Sequence, residues 1–592
     1  MHQNSSSGNL RLVSNLMFRL LPAQILMLAI DAINSFVSSF FASNYLGLEA
    51  MSAIGLYAPF ATLGSAVCAV LTGGASILCG KYMGQNDYEK VQKVFHLDLV
   101  LAAILGAVFM LVKLAIGIFD LSGFLTTDAA VRPALNRYFI GMAIGNVPYM
   151  ISTQLPVFLA LENQQRRMLQ ASLLFTTVNI VLSALFVPVL HMGVFGLAFA
   201  CSVAEFLLFY VMFRYYLRPH SIFRLSLRQV SLSGSGELVK IGLPGALSSV
   251  YLTARGFLIN ALLLAFVGSV GVSAYGAAES LLSIFWAVPS GMLIVSRMLI
   301  SVSVGEEDRR TLADIMRVMF RRYLPLMGLI SALLMAFAVP LTRIYFRDPT
   351  QPVYAMTVSG MRILPLSMPL ALICIHFICY AQTSNKQVLV HLLSLLDGVV
   401  NVVLCTFFTI RYLGIQSPYV ACVFNGVVTT VVVILYAWVM LRYFPRNMEE
   451  LMVIPASFGA KDEERMDLSV RSMEDVVSVS QQVIAFCRSR GIDEKRAFHA
   501  GLFLEEMAGN VVSHGFRKDN KKHTVDIRVV HKNDDLILRI RDDCVPFNPE
   551  ERKDLVDPVD RVKNMGIRMV YKGAKDVQYQ NIVGLNVLTI RI

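Results

Sequence analysis

The sequence contains few charged residues. Only 16% of its 592 residues are Asp, Glu, Lys or Arg, whereas 55% are hydrophobic, and the mean hydropathy is +0.59. Soluble domains usually carry about 25% charged residues, so this composition excludes both a simple cytosolic protein and a disordered one. The sequence also lacks the Gly-x-x-x-x-Gly-Lys-Ser/Thr phosphate loop, which disfavours ATP-driven primary transport. Its nine cysteines show no spacing typical of a metal site or a disulfide framework.

The charges that are present are concentrated towards the C-terminus. Residues 1–460 contain 29 basic and 19 acidic side chains, whereas residues 461–592 contain 23 and 22. The charge density therefore more than triples at this border. The chain is predicted to be a membrane domain followed by a soluble domain.

Twelve apolar stretches each reach the roughly 20 residues that a helix needs to cross a bilayer. They lie near 17–41, 50–77, 95–118, 138–160, 169–190, 194–213, 241–266, 274–296, 323–345, 358–380, 387–410 and 418–441. The N-terminus and the even-numbered connections hold 18 basic residues, and the odd-numbered connections hold five. Because basic loops stay in the cytoplasm, both termini are predicted to be cytoplasmic. We expect a multi-pass protein of a bacterial plasma membrane.

The membrane domain repeats itself at an offset of about 222 residues. Gly84-Gln-Asn-Asp87 recurs as Gly305-Glu-Glu-Asp308, and Asn179-Ile-Val-Leu recurs as Asn401-Val-Val-Leu. Each half has six predicted spans, so the halves share one orientation, and a substrate site is expected between them near the midplane. Such a duplication favours a transporter over a receptor or a membrane-embedded enzyme.

Two acidic residues inside the spans are candidates for ion coupling. Asp31 lies midway along the first span, and Asp397 lies just before Asn401 in the second half. An ionisable group costs about 2.5–3.5 kcal/mol in hydrocarbon on insertion scales, so its presence usually has a reason. The plainer interpretation, that Asp31 caps a kink or pairs with a basic residue, stays open.

The six-plus-six spans, the segment Leu21-Pro-Ala…Ala-Ile-Asp31 and the Gly84-Gln-Asn-Asp87 motif resemble the multidrug and toxic compound extrusion (MATE) family over roughly residues 14–445. The resemblance implies a V-shaped, two-lobe antiporter that exports drugs or other cationic or amphipathic compounds in exchange for H⁺ or Na⁺. It also implies that Asp31 serves the coupling ion and that Asn179 assists it. Ser183 stands where the family often has a second Asp. A flippase for lipid-linked precursors shares the fold and stays open as an alternative.

Residues 466–592 are predicted to form an α+β sandwich with the element order β-α-α-β-β-α-β-β. In its second helix, Glu506, Asn510 and His514 are spaced four apart and so lie on one face. A carboxylate and a carboxamide stacked in this way can orient a water and hold Mg²⁺ through oxygen. A solvated helix face has the same spacing, so the motif is weak by itself.

Combined with Asp542-x-x-x-Pro-Phe-x-Pro and a glycine before the third helix, this motif resembles the GHKL, or histidine kinase-like, ATP-binding fold. Within that fold, the domain looks most like the anti-sigma factor serine kinases. The resemblance implies that ATP or ADP is held with Mg²⁺ by Asn510, His514, Asp542, Gly566 and Arg568. Asn510 would ligate Mg²⁺, Glu506 would be the general base, and Asp542 would accept a hydrogen bond from the adenine amino group.

The chain departs from that family at Cys544 and Arg568, where glycines are usual, and in the segment 550–563, which holds four basic residues and no glycine. Whether the domain binds ATP, hydrolyses it weakly or phosphorylates a protein serine stays open. A second hypothesis is therefore a membrane-anchored serine kinase or anti-sigma-like switch with the transporter part as sensor. An anti-anti-sigma-like protein partner and dimerisation through this domain stay open, and no nucleic-acid partner is expected.

The predicted organisation has five segments. They are a cytosolic N-terminus (1–16), a first lobe (17–222), a second lobe (223–445), a linker (446–465) and the GHKL domain (466–592).

Overall fold

The computed structural model describes residues 2–126, 128–217, 221, 223, 232–346, 348–460, 463–516, 523–532, 534–552, 564–582 and 584–592. The first half of the membrane domain contains α1 (His2–Phe41), α2 (Leu48–Gly84), α3 (Tyr88–Ile118), α4 (Val131–Ile144), α5 (Asn146–Ser152), α6 (Leu155–Leu161), α7 (Gln165–Phe186) and α8 (Gly193–Tyr216). The second half contains α9 (Ser235–Phe266), α10 (Ser269–Ser283), α11 (Ala287–Gly305), α12 (Arg309–Val318), α13 (Leu324–Ala336), α14 (Ala338–Tyr345), α15 (Pro352–Ile363), α16 (Ser367–Thr383), α17 (Gln387–Leu395), α18 (Asn401–Leu413) and α19 (Gln416–Leu441).

The number of spans agrees with the sequence prediction. Among the described residues, eleven helices are long and apolar enough to cross a membrane, or twelve if one bent pair is a single span. That pair is α4 with α5–α6, which meet at an angle of 52° and occupy the stretch expected near 138–160. The predicted polytopic helical architecture is thereby confirmed.

The repeated Gly-x-x-Asp motif has the same two structural roles in both halves: its aspartate caps a helix, and its glycine allows close packing. Asp87 caps α3 by accepting a hydrogen bond from the backbone of Lys90, and Asp308 caps α12 in the same way through Thr311. The glycines let the halves touch. A Cβ on Gly84 would lie 2.3 Å from the carbonyl oxygen of Val302, and one on Gly305 would lie 2.0 Å from that of Lys81. The two helix ends therefore pack backbone against backbone, which only glycine allows.

The C-terminal part is the predicted α+β sandwich. A short helix α20 (Met448–Leu451) precedes β1 (Arg465–Val470), α21 (Met473–Ser489), α22 (Glu494–Asn510), β2 (Val525–Lys532), β3 (Asp535–Asp542), α23 (Met565–Gly573), β4 (Asp576–Ile582) and β5 (Leu585–Arg591). The antiparallel sheet has the order β1-β2-β3-β5-β4. Its apolar face packs on the three helices through a core that includes Phe503, Leu504, Ile527, Ile540 and Val570.

The other face of the sheet carries charges that meet the membrane domain. We call Glu306, Asp308, Asp467, Arg528 and Arg541 the docking cluster. Asp308, which is fully buried, lies 2.5 Å from Arg528 Nη1 through Oδ1 and 3.0 Å from Arg541 Nη1 through Oδ2. Arg528 also pairs with Asp467 at 2.6 Å, and Arg541 Nη1 lies 3.7 Å from Glu306. The docking cluster therefore joins the sheet to the α11–α12 loop of the second half.

The β4–β5 hairpin touches the first half. Ile582 is buried in the same apolar core as the membrane helices. A Cβ on Gly584 would lie 2.9 Å from the side-chain amide of Asn163, which lies between α6 and α7. The α+β domain therefore contacts both halves on one side of the membrane domain, which we call the docking face.

A larger side chain at Gly305 should separate the two halves at the docking face. Gly305→Val places two methyl groups against the Lys81 carbonyl, and overpacking of this kind costs about 1–3 kcal/mol. We expect the distance between spin labels placed at the exposed residues Lys93 and Arg446 to increase. Gly276→Val is the matched control, because nothing lies within 4 Å of that position. An unchanged label distance in Gly305→Val would contradict a closed docking face.

Asp308 should be needed for stability over the whole physiological pH range. Burial alone would raise the pKa of Asp308, but Arg528 and Arg541 hold that pKa well below its ordinary value. A carboxylate with a lowered folded pKa stabilises the protein above its unfolded pKa of about 3.9, and this contribution is lost as the pH falls through the folded pKa. The contribution of Asp308 to the docked arrangement should therefore be complete at every pH above about 4, and so throughout the physiological range.

Asp308→Asn tests this dependence, because it leaves two arginines without their carboxylate. We expect a loss of about 3–5 kcal/mol, read as a lower thermal midpoint of the full chain in detergent at neutral pH. Asp87→Asn is the control, since Asp87 is partly exposed, pairs only with Lys90 in the described structure and retains a capping amide. Equal midpoints for the two variants would refute the role of Asp308.

Candidate functional site: a cavity in the α+β domain and a cavity in the membrane domain

A cavity of about 640 Å³ lies between the sheet and the helices of the α+β domain. Its volume falls within the range of about 300–1,000 Å³ that is usual for ligand pockets. Five of the residues predicted to bind or process a nucleotide line it: Glu506, Asn510, His514, Asp542 and Gly566. Four helical positions and one strand end thus converge on one space.

The start of α21, the helix next to α22, is fixed by a capping box of Ser472 and Asp475.

The end of α22 positions three of these side chains. The α-helix α22 ends at Asn510, and the chain continues as one wider π-helical turn that carries His514. Glu506 and Asn510 are half-buried and His514 is exposed, and all three still line the cavity despite the change of helix type.

Gly566 approaches Glu506 very closely. A Cβ at this position would lie 1.9 Å from Oε2 of Glu506. Gly566 lies at the N-terminal end of α23, where free backbone N–H groups favour an anion. Any larger residue would push the Glu506 carboxylate out of its place.

Asp542 is fixed by a hydrogen-bond network from the neighbouring strand. Its Oδ1 accepts hydrogen bonds from the backbone N–H of Cys544 at 2.9 Å and from Asn586 Nδ2 at 2.7 Å. Asn586 is the cross-strand partner of Asp542, and its own Oδ1 accepts from the Tyr579 hydroxyl at 2.8 Å. Tyr579 in turn accepts from the backbone N–H of Phe547. The carboxylate is therefore held at a fixed position in the cavity wall.

Burial shifts the pKa values of two side chains in the cavity wall, Asp542 and Tyr579. It raises the pKa of Asp542 above the ordinary value of an aspartate, while the hydrogen bond from Asn586 opposes the shift. Burial also raises the pKa of the Tyr579 hydroxyl, so Tyr579 acts as a hydrogen-bond donor at neutral pH.

The residues that depart from the GHKL pattern differ in their position relative to the cavity. Cys544 lines the cavity, is buried, and supplies the backbone N–H that binds Asp542. Arg568 is not among the described residues that line the cavity. Residues 553–563, which include most of the basic segment, lie outside the described residues.

A second group of potential ligand atoms lies beside the cavity. His523, Asp543 and Cys544 each place one such atom within 4.8 Å of the others. His523 Nδ1 is 2.8 Å from Asp543 Oδ1, and this contact explains without a metal why these two side chains lie close together.

A further cavity of about 640 Å³ lies in the membrane domain. Its wall comes mainly from α1, α2 and α4–α8 of the first half, and α11 of the second half adds Ile294, Arg297 and Met298. Asn179 lines it and donates to Asn34 Oδ1 at 3.4 Å, and Asn34 donates to the Thr176 hydroxyl at 3.0 Å. Glu205 also lines it and accepts from Ser152 at 3.0 Å. The cavity therefore joins apolar walls to a few fixed polar groups.

The remaining predicted coupling residues separate into two groups. The side chain of Asp31 lies outside the described residues, so its partners are not defined. In the second half, Asp397 Oδ1 accepts from Asn425 Nδ2 at 2.8 Å, and Asn401 donates to Asn425 Oδ1 at 3.0 Å. Asn425 thus joins the two residues that the sequence singled out.

Sequence reasoning missed four polar residues of these sites: Asn34, Asn425, Tyr579 and Asn586. Asn34 lies three residues after Asp31 on one helix, and this spacing could have identified it. The other three reach their sites through pairing between distant segments, so local spacing gave no signal.

A duplicated bundle of apolar helices with a polar cavity beside the junction of its halves defines a multi-pass membrane transporter, and the attached sandwich defines a nucleotide-binding type of domain. The family described as MatE matches residues 23–185 and 244–407, which is more than half of the chain, so the chain belongs to the MATE family. The family described as histidine kinase-like ATPase domain matches residues 471–592. We call this part the ATPase-like domain. No curated protein matches the sequence significantly.

Solved structures share the fold of the membrane domain. "Crystal structure of MATE in complex with MaL6" is 21% identical with a TM-score of 0.67, and the match covers 75% of this chain and 99% of that one. An outward-facing multidrug resistance MATE family transporter of the MOP superfamily is 20% identical with a TM-score of 0.67, covering 74% and 96%. A MOP superfamily transporter from Pyrococcus furiosus, described as having a binding pocket of reversed polarity, is 20% identical with the same TM-score, covering 75% and 98%.

Substitutions in the pocket should remove nucleotide binding. Asp542→Asn exchanges the acceptor expected for the adenine amino group for an amide, and Asn510→Ala removes the oxygen expected to hold Mg²⁺. We expect each to weaken ATP or ADP binding by the full chain at least about tenfold, which corresponds to one lost charge-assisted hydrogen bond. Titration calorimetry with Mg²⁺ measures this.

The control for these two substitutions is Gln481→Ala on the exposed surface of α21. Binding that is absent in the unaltered chain, or unchanged in both pocket variants, would show that the cavity is not a nucleotide site. A normal thermal midpoint in each variant confirms that the domain has folded.

Proposed function

We propose that the protein is an ion-coupled exporter of cationic or amphipathic small molecules whose transport cycle is regulated by ATP or ADP bound to the ATPase-like domain. The docking face then lies in the cytoplasm, in agreement with the excess of basic residues in the connections on that side. The protein would act in a bacterial plasma membrane.

The intramembrane cavity supports the export part of the proposal. It offers apolar and aromatic walls, which suit amphipathic compounds, and one half-buried carboxylate, Glu205, that could attract a cation. We assign H⁺ or Na⁺ coupling to Asp31 with Asn179 in the first half, and to the Asp397–Asn425–Asn401 group in the second. Carboxylate and amide oxygens suit both a proton and a hard cation.

The pocket fits a nucleotide with Mg²⁺. Asn510 and Glu506 present oxygen atoms at one end of the cavity, and Asp542 presents a fixed carboxylate at the strand end. Mg²⁺, when bound, supplies positive charge that neutralises phosphate oxygens. Glu506 is then placed to accept a proton from a water or a hydroxyl group, so phosphoryl transfer is a further activity to be tested.

One observation carries the regulatory part: Arg541 and Asp542 are consecutive residues of β3. Because successive side chains of a strand point to opposite faces, Arg541 enters the docking cluster while Asp542 enters the nucleotide pocket. A ligand that shifts the end of β3 by a fraction of an ångström therefore acts on both. Typical coupling energies of about 1–3 kcal/mol would change transport about 5- to 150-fold.

The ATPase-like domain is also placed where it can affect the transport cycle. It contacts the second half through Asp308 and the first half through Asn163. Alternating access requires the two halves to move relative to each other on this side. A domain attached to both halves favours one of their arrangements.

Transport by the full chain in proteoliposomes tests the proposal. An imposed H⁺ or Na⁺ gradient should drive movement of a cationic dye, and Asp31→Asn should abolish it. Nucleotide on the docking-face side should change the rate at least about fivefold, the lower limit of typical coupling. Asn510→Ala should retain transport but lose that response, and Gln481→Ala should retain both.

The export part and the regulatory part of the proposal can each be overturned by a separate result. Dye movement that ignores both gradients, while lipid-linked substrates are moved, would replace the exporter with a flippase. Nucleotide binding without any effect on transport, together with phosphorylation of a small protein that Glu506→Gln abolishes, would replace regulation by a serine kinase switch.

A further inference from the structure

A third cavity, of about 460 Å³, is lined by arginines from both domains. Arg11 comes from α1, Arg317 from α12, and Arg321 and Arg322 from the π-helical turn that precedes α13. Arg471 reaches it from the ATPase-like domain, two residues before α21 begins. We call this space the arginine cavity.

The positive charge of the arginine cavity is mostly uncompensated. Arg317 pairs with Asp314 at 2.6 Å, and Asp314 also accepts a hydrogen bond from Asn9. In the part of the chain that the structure describes, the other four arginines form no ion pair, and no lining residue is acidic. Like charges held this close repel each other, so an anion in the cavity would relieve the repulsion.

The chemistry of the lining points to phosphate. Arginine carries a planar group with five N–H donors that bind phosphate oxygens in pairs, which lysine cannot do. Ser14 and Asn15 add uncharged hydrogen-bonding groups, and Leu10 and Val318 add apolar surface at the edge. A phosphate that carries a polar group on one side and hydrocarbon on the other matches this set.

The depth of the arginine cavity points to a lipid. Arg11 lies six residues before the first predicted span, and Arg321 and Arg322 lie directly before the ninth. With the spans predicted from the sequence, these positions fall near the level of lipid headgroups. Basic pockets between membrane helices on the cytoplasmic side are typical binding sites of anionic headgroups.

We propose that the arginine cavity binds the phosphate of an anionic phospholipid headgroup from the cytoplasmic leaflet. The proposal goes beyond the transport and nucleotide functions and rests only on the orientation given for the docking face. Because Arg471 belongs to the ATPase-like domain and the other arginines to the membrane domain, the bound lipid links the two domains. The arginines of this link are different residues from those of the docking cluster.

Phosphatidylglycerol added to the purified full chain in neutral detergent tests the proposal. We expect the thermal midpoint to rise with phosphatidylglycerol and to stay constant with phosphatidylcholine. In the double variant R321Q/R322Q, the phosphatidylglycerol concentration at half-maximal effect should increase about 25- to 30-fold, because each arginine near an anionic surface contributes about fivefold. The control R166Q/R446Q removes two exposed arginines outside the cavity and should behave like the unaltered chain.

A single variant in the ATPase-like domain tests the proposal without altering the membrane helices, so a folding defect in those helices cannot explain its effect. R471Q should increase the half-maximal concentration about fivefold while leaving the midpoint without lipid unchanged. Equal phosphatidylglycerol effects in the unaltered chain, R321Q/R322Q and R471Q would overturn the proposal.

A second arm distinguishes a lipid from a soluble phosphate. Inorganic phosphate and glycerol phosphate are added in place of phosphatidylglycerol, and both should have no effect at concentrations where the lipid is saturating. A midpoint shift by either that matches the lipid and is lost in R321Q/R322Q would assign the cavity to a soluble phosphate and overturn the lipid assignment.

Discussion

The two-domain structure depends on one buried carboxylate. Asp308 is completely enclosed, and its two oxygens face Arg528 and Arg541 of the other domain. A charge that is removed from water is tolerated only if it is paired and hydrogen-bonded, so the position of the ATPase-like domain is fixed by this requirement. Its counterpart in the first half, Asp87, has the same capping role and pairs only with Lys90 in the described structure. The duplication therefore supplied the motif twice, and only one copy became an attachment point.

This attachment places the two faces of one sheet in different environments. The arginines of β2 and β3 face the membrane domain, and the opposite face packs on the helices and ends at the cavity that Asp542 lines. Asn586, which is held by Tyr579, fixes Asp542 from the neighbouring β5. The strand that contains Arg541 and Asp542 is therefore restrained from both sides. A rigid strand transmits a displacement better than a loop would.

Much of the architecture could be predicted from the sequence. Apolar length gave the spans, and the spacing of Glu506, Asn510 and His514 placed them in one pocket. The partners of Asp542 could not be predicted, because Asn586 reaches it only through the β3–β5 pairing. The charged second face of the sheet was not predicted, although the alternation of Arg539 and Arg541 with Leu538 and Ile540 could have indicated it. The contact that this face makes could not be predicted, because Asp308 is more than 200 residues from Arg541 in the sequence.

In the proposed function the ATPase-like domain responds to a nucleotide, and a charged contact suits that role. Buried ions lose their hydration, so they are tolerated only in a well-defined geometry with their partners. Removal of one partner is costly, because the remaining charge is left buried. The docked arrangement is therefore specific, whereas an arrangement in which the sheet is displaced would return both charges to water. In the proposed function, a ligand that shifts the balance between two such arrangements by about 1–3 kcal/mol would change the ratio of their populations about 5- to 150-fold.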